Sequence, residues 1–153
     1  MATFKRIEEI EAWVLARNIC KEIYAFTKQN DFSKDFDLVK QIRRSSGSVM
    51  DNIAEGFERE GKLEFIHFLS ISKGSNSEVK SQLYRAFDQN YITQKQLDLL
   101  HFLCDKESKI LSGLMKYLNS SDIKGIKFKK HHEPETKNHK PETKNHKPET
   151  KNQ

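Results

Sequence analysis

The sequence predicts an all-α protein, an up-down-up-down four-helix bundle with a disordered C-terminal repeat tail. Three observations carry this. Apolar residues recur at three- and four-residue steps through four segments between Ile7 and Leu118. Short polar breaks such as Asn30–Asp31 and Asn90–Thr93 separate the segments. After Lys124 the periodicity stops and a PETKNHK repeat takes over. Helices of such length with short connections pack as antiparallel neighbours.

Helix 1 is predicted from Ile7 to Gln29. Ala12, Trp13, Ala16, Ile19, Cys20, Ile23 and Phe26 form its main stripe, and Ile7, Ile10 and Val14 add a second patch. So wide an apolar arc implies cover on more than one side, from the bundle or from a neighbouring subunit. Asn30 and Asp31 end the pattern, and Ser33 is the expected N-cap of the next helix.

Helix 2 contains RRSSGSVMDNIAEGFERE, whose cluster of serines and glycine has the composition of a phosphate-cradling loop. The apolar phase decides against a loop. Leu38, Ile42, Val49, Ile53 and Phe57 stay in register across Ser45 to Ser48, which a loop would have reset. There is also no GxxxxGK[ST], so the lysine and the magnesium-binding hydroxyl of a phosphate loop are missing. Gly47 costs helix propensity of about 1 kcal/mol and is expected to let a partner backbone approach. Beside the stripe runs a polar ridge, Gln41, Arg44, Ser48, Asn52 and Glu55, on one helix face. Its two readings are a solvated face, or a hydrogen-bonded ridge in which Asn52 and Glu55 engage another helix or subunit.

Helix 3 is predicted from Lys62 to Asn90, capped by Gly61, with Phe65, Leu69, Ser72, Asn76, Val79, Leu83 and Ala86 on its inner face. Its small centre, SISKGSNS, matches that of helix 2 and favours a close crossing. Helix 4 carries Leu99, Leu100, Leu103, Cys104, Ile110, Leu111, Leu114, Met115 and Leu118.

Residues 1–123 form the predicted bundle domain and residues 124–153 the tail. The net charge of +5 belongs wholly to the tail, where 9 Lys oppose 4 Glu, while residues 1–123 balance at 18 basic against 18 acidic. The basic pI near 9.1 is therefore no argument for a basic fold. Proline in every repeat and a lack of apolar positions predict a disordered or extended tail. Any nonspecific nucleic-acid affinity is accordingly expected to depend mainly on it.

No enzyme is predicted. Glu64 and His67 have the Glu-x-x-His spacing of di-iron bundles, but that chemistry needs a second such pair and two more glutamates. His67 also lies roughly 160° to 200° around the helix from Phe65 and Leu69, away from the core. His101 and Cys104 are two ligands, too few for zinc. No metal or other cofactor is expected. Cys20 and Cys104 are expected to be reduced in a cytoplasmic protein, and no apolar run reaches membrane-spanning length.

The segments QIRRSSGSVMDNIAEGFERE, EFIHFLSISKGSNSE and QLYRAFDQNYI resemble the four-helix-bundle family encoded within intervening sequences of bacterial 23S rRNA genes. That family is similar in turn to the accessory variability determinants of diversity-generating retroelements. The likeness spans roughly residues 4–120. Gln41, Arg43, Arg44, Asn52, Ile53, Ala54, Glu55, Gly56, Gly74, Ser75 and Glu78 occupy its recurrent positions, while Met50 stands where many members have proline. The resemblance implies a homopentameric bundle without catalysis, associated with RNA, DNA or a ribonucleoprotein. Arg43, Arg59, Lys62 and Lys73 are the expected nucleic-acid contacts on the bundle, and Glu78 joins the polar ridge as a site residue.

Overall fold

The computed structural model describes residues 4–121. Four helices follow in order, α1 (Glu11–Thr27), α2 (Phe36–Glu58), α3 (Lys62–Asp88) and α4 (Gln94–Ser120), with short 3₁₀ helices at Ile7–Glu9 and Asn30–Lys34. No β-strand occurs among the described residues. The predicted tail, residues 124–153, lies outside them.

Helix 1 begins later than its apolar spacing suggests. Ile10 is extended (φ −84°, ψ 110°) and fully buried, so the chain leaves helical geometry to seat this side chain in the core. At the other end Thr27 Oγ1 donates to the carbonyls of Ile23 and Tyr24, and Asn30, at φ 42°, turns the chain in the left-handed region.

Ser33 does not cap α2. Its hydroxyl donates to Asn30 O at 2.6 Å, inside the 3₁₀ helix, and Asp35 takes the cap position, accepting from the Leu38 amide at 3.1 Å. The second carboxylate oxygen of Asp35 accepts from Tyr91 Oη at 3.1 Å, and the Tyr91 ring stacks on Phe32 with centroids 5.1 Å apart. One side chain thus caps a helix and ties it to the α3–α4 turn. Burial, with help from this carboxylate, holds the Tyr91 hydroxyl above its ordinary pKa.

Ser45 to Ser48 are helical, as the phase predicts, and Ser45 and Ser46 are buried. The glycines behave differently from expectation. A Cβ at Gly47 or Gly74 would meet nothing within 4 Å, so neither admits a neighbouring backbone. The close approach is at Gly56, where a Cβ would lie 2.7 Å from Phe65 Cδ2 and 2.8 Å from Phe68 Cβ. α2 and α3 are joined there by only Arg59–Gly61, and the short turn holds the helices together. At mid-helix the serines make the crossing instead: Ser72 Oγ donates to Val49 O at 2.7 Å and the Ser48 and Ser75 hydroxyls meet at 2.9 Å.

α3 starts at Lys62 behind Gly61, as predicted, and stops at Asp88, before Asn90 at φ 59°. Thr93 and Gln96 cap α4 reciprocally, Gln96 N donating to Thr93 Oγ1 at 3.2 Å and Thr93 N to Gln96 Oε1 at 2.8 Å. On α4 the inner face includes Leu97, while Leu99, one of the apolar residues this helix carries, is half exposed.

The core divides into two apolar clusters. One gathers Ile19, Ile23, Phe32, Leu38, Ile42, Val79, Leu83, Leu100 and Cys104; the other Ile10, Ala12, Ala16, Val49, Ile53, Phe57, Phe65, Leu69, Leu111 and Leu118. In α2, α3 and α4 a buried polar group sits between them. Ser46 Oγ donates to Cys20 Sγ at 3.7 Å, Asn76 Nδ2 donates to Cys104 O at 2.8 Å, and Glu107 is completely buried one turn further along α4.

Candidate nucleic-acid interface

Part of the predicted polar ridge, Gln41 and Ser48 with Glu78 opposite, lies on a polar seam between α2 and α3. Arg85 Nη1 donates to Gln41 Oε1 at 2.9 Å, Ser45 Oγ donates to Glu78 Oε2 at 3.2 Å, and Ser48 meets Ser75. These pairs run in opposite chain directions, so polar contacts fix an antiparallel register. Asn52 Nδ2 donates to Ser48 O and Oγ within its own helix, reaching α3 only through Ser48. Glu55 pairs within this chain with Arg59 one turn on, at 2.7 Å, with both side chains half exposed, as in the solvated-face reading. A glutamate followed by arginine four residues later is satisfied locally on the helix surface. Arg44 is exposed and stands apart from the seam.

The four expected cationic contacts do not form one patch. Arg59 is held by Glu55 and lies over the Phe68 ring; Lys62 Nζ donates to Ser121 O at 3.0 Å; Lys73 sits midway along α3. Arg43 alone joins a larger constellation, against α1.

There, an open groove of about 660 Å³ follows α2, lined by Phe36, Val39, Lys40, Arg43, Arg44, Gly47, Ser48 and Asp51, with Tyr24 from α1. A second groove, of about 370 Å³, shares Tyr24 and is lined by Arg17, Cys20, Lys21, Ala25, Lys28 and Met50. Six cations and a single carboxylate, Asp51, line the pair. Among the described residues none of the six forms an ion pair. Arg17 with Lys21 and Lys40 with Arg44 are like-charge neighbours four apart, an arrangement that costs a helix a few tenths of a kcal/mol per pair. Clustered, unpaired positive charge raises the local concentration of polyanions. Arg43 is the fixed member: its Nε donates to Thr27 Oγ1 at 2.8 Å and its guanidinium lies over the Tyr24 ring, 4.6 Å from the centroid.

Sequence reasoning missed Arg17, Lys21, Lys28, Lys40, Tyr24 and Phe36. A signal existed, since Arg17, Lys21, Tyr24 and Lys28 recur at steps of four, three and four and so share a helix face.

Among the described residues the other titratable groups are held in structural roles or exposed singly. His67 is exposed, and His101 Nε2 lies 3.2 Å from Lys80 O beneath the edge of Tyr84. Burial pushes the Cys104 thiol up to about 12, away from thiolate chemistry. Burial, reinforced by the charge of Glu11, pushes Glu107 up to about 8. Among the described residues no three His, Cys, Asp or Glu side chains are placed to share a metal ion. No described helix is long and apolar enough to cross a membrane.

A crystallographic structure of a protein of unknown function from the S23 ribosomal protein family of Bacteroides thetaiotaomicron has a similar fold. It aligns with a TM-score of 0.63 at 23% identity, over 69% of this chain and 95% of that one. No curated protein matches the chain. The family model for 23S rRNA-intervening sequence proteins matches residues 8–113, which hold most of all four helices and both grooves. With that match across the bundle, the chain belongs to the 23S rRNA-intervening sequence protein family.

Proposed function

We propose that this protein is a non-enzymatic helical-bundle accessory factor that binds RNA, alone or within a ribonucleoprotein, through the α1–α2 surface. The observation that carries the reading is the concentration around Tyr24 of six cations, none in an ion pair among the described residues, against one carboxylate, in a domain whose overall charge balances. The names of the family and of the structural neighbour point in the same direction, toward ribosomal RNA and the ribosome. Phosphate contacts of this kind release counterions, so affinity should fall steeply between about 50 and 200 mM salt. Fluorescence anisotropy of a labelled RNA titrated with the full chain at both salt concentrations tests this; absence of binding at the lower salt would refute it.

A second reading, a structural or protein-interaction module, is favoured by exposed apolar side chains on α3 and α4. Tyr84, Leu99 and Phe102, the last 65% exposed, are more than a solvated helix face requires. The two readings combine if this side supports homo-oligomerisation, a pentamer by resemblance, and the α1–α2 side carries the ligand. Native mass spectrometry with and without RNA separates them: a homo-oligomer that takes up no RNA supports the second reading alone.

A further inference from the structure

We infer that the α1–α2 groove is built for a single-stranded segment of nucleic acid, with bases stacked on the Arg43–Tyr24 pair and on Phe36 and phosphates held by Lys40 and Arg44. The inference rests on the proposed RNA-binding role and narrows its ligand.

Charge alone would suit a duplex or any polyanion, but the groove offers more than charge. Phe36, at the first position of α2, is 79% exposed, and Tyr24 is 41% exposed. A duplex presents phosphates and sugars and leaves such rings unused, whereas an unpaired base has a π-face that stacks on any aromatic or guanidinium plane. Cations that follow the backbone, interleaved with stacking surfaces, are the combination that single-strand binders use.

Arg43 is prepared for this task. Its Nε bond to Thr27 and its position over Tyr24 hold the guanidinium plane in place before any ligand arrives. Little side-chain entropy then remains to be lost on binding. A lysine, a point charge on a flexible stem, would supply the charge without the plane.

Gly47 supplies the room. It lines the groove, and a Cβ there would meet nothing within 4 Å. The glycine is not needed for helix packing, and a long side chain in its place would project into the groove. This makes the groove testable without weakening the bundle.

The test uses the full chain and measures anisotropy with a labelled single-stranded RNA, a duplex RNA of equal length, and inorganic polyphosphate and poly-glutamate as competitors. The single strand should bind at least about tenfold more tightly than the duplex, in keeping with stacking of one or two bases. Gly47→Met should reduce single-strand affinity about tenfold or more with helicity retained by circular dichroism, and Phe36→Ala should reduce it several-fold while duplex binding stays unchanged. Equal affinity for single strand, duplex and polyphosphate would overturn this inference while leaving RNA binding intact. Unchanged single-strand affinity in folded Gly47→Met would overturn it too. Displacement by poly-glutamate at lower concentration than by RNA would assign the groove to an acidic protein segment instead. No binding of any nucleic acid would sink the broader functional reading with it.

Discussion

The guanidinium of Arg43 lies 4.6 Å from the centre of the Tyr24 ring while its Nε donates to Thr27. An arginine that the sequence marks as a free contact is therefore a fixed strut between α2 and α1. Replacing Arg43 by Ala should lower stability by about 1 kcal/mol, the combined worth of a part-buried hydrogen bond and a cation–π contact. Arg43→Lys should recover part of the stability but little single-strand affinity. Thermal melts and RNA titrations of the two variants check this split.

Gly56 and Gly47 should respond in opposite directions to alanine. At Gly56 the new methyl group meets a fully buried ring and the Cβ of Phe68, neither of which can swing aside, so Gly56→Ala should destabilise by roughly 1 to 3 kcal/mol. At Gly47 the space is open and helix propensity favours alanine by up to about 1 kcal/mol. Urea denaturation of both variants compares them, and equal midpoints would contradict the packing described.

Glu107 should make the bundle less stable as the solution becomes more alkaline. Its side chain is completely buried, and neither carboxylate oxygen has a hydrogen-bond partner among the described residues. Desolvation raises its folded pKa to about 8, from 4.5 when exposed. Between those values the folded chain holds a proton that the unfolded chain releases. The stabilisation is complete below about pH 4.5, shrinks as pH rises through that window and is gone above about 8. The change should be on the order of 2 to 4 kcal/mol between pH 5 and 8. The Lys80–Asp105 pair, 2.6 Å apart, does not add to this slope: its mutual hydrogen bond raises the lysine and lowers the aspartate, away from the window. Melting temperatures of the wild type and Glu107→Gln from pH 5 to 9 check the sign. The variant should lose most of the decline; a wild type that gains stability over that range would contradict the assignment.

Glu55→Ala should change stability by less than about 0.5 kcal/mol, because its partner Arg59 is on the same helix surface and both are half exposed. Asn76→Ala should cost about 1 to 3 kcal/mol, since Asn76 is buried and its amide binds the Cys104 carbonyl on α4. Chemical denaturation of the two variants ranks them.

The helical phase across Ser45 to Ser48 was legible because periodicity is a local property that survives unusual composition. So were the start of α3 and the turn at Asn90. Ile10 was not: apolar spacing records which side chains are buried, not that one of them is buried from extended backbone. The choice between Ser33 and Asp35 as cap involves Tyr91, 56 residues away in sequence, which no local rule registers. Gly47 and Gly56 are alike in composition, but nine residues place them on opposite faces of α2: Gly56 meets Phe65 and Phe68 of α3, and Gly47 faces the groove beside Tyr24. The candidate surface was half legible. The stripe of Arg17, Lys21, Tyr24 and Lys28 is a sequence pattern, but its meeting with Lys40, Arg43 and Arg44 depends on how α1 packs on α2. A balanced charge total hides such an asymmetry.

The most direct test sets the bundle surface against the tail, whose net charge predicts that nucleic-acid affinity resides in residues 124–153. RNA affinity of the full chain should be measured across a salt series for the wild type and for Arg17, Lys21, Lys40 and Arg44 changed together to Gln. The surface account predicts at least about a tenfold loss of affinity and a shallower slope of log affinity against log salt, by roughly one for each phosphate contact removed. Helicity should not change. An undiminished affinity with an unchanged salt slope in the folded variant would contradict the account and return the binding site to the tail.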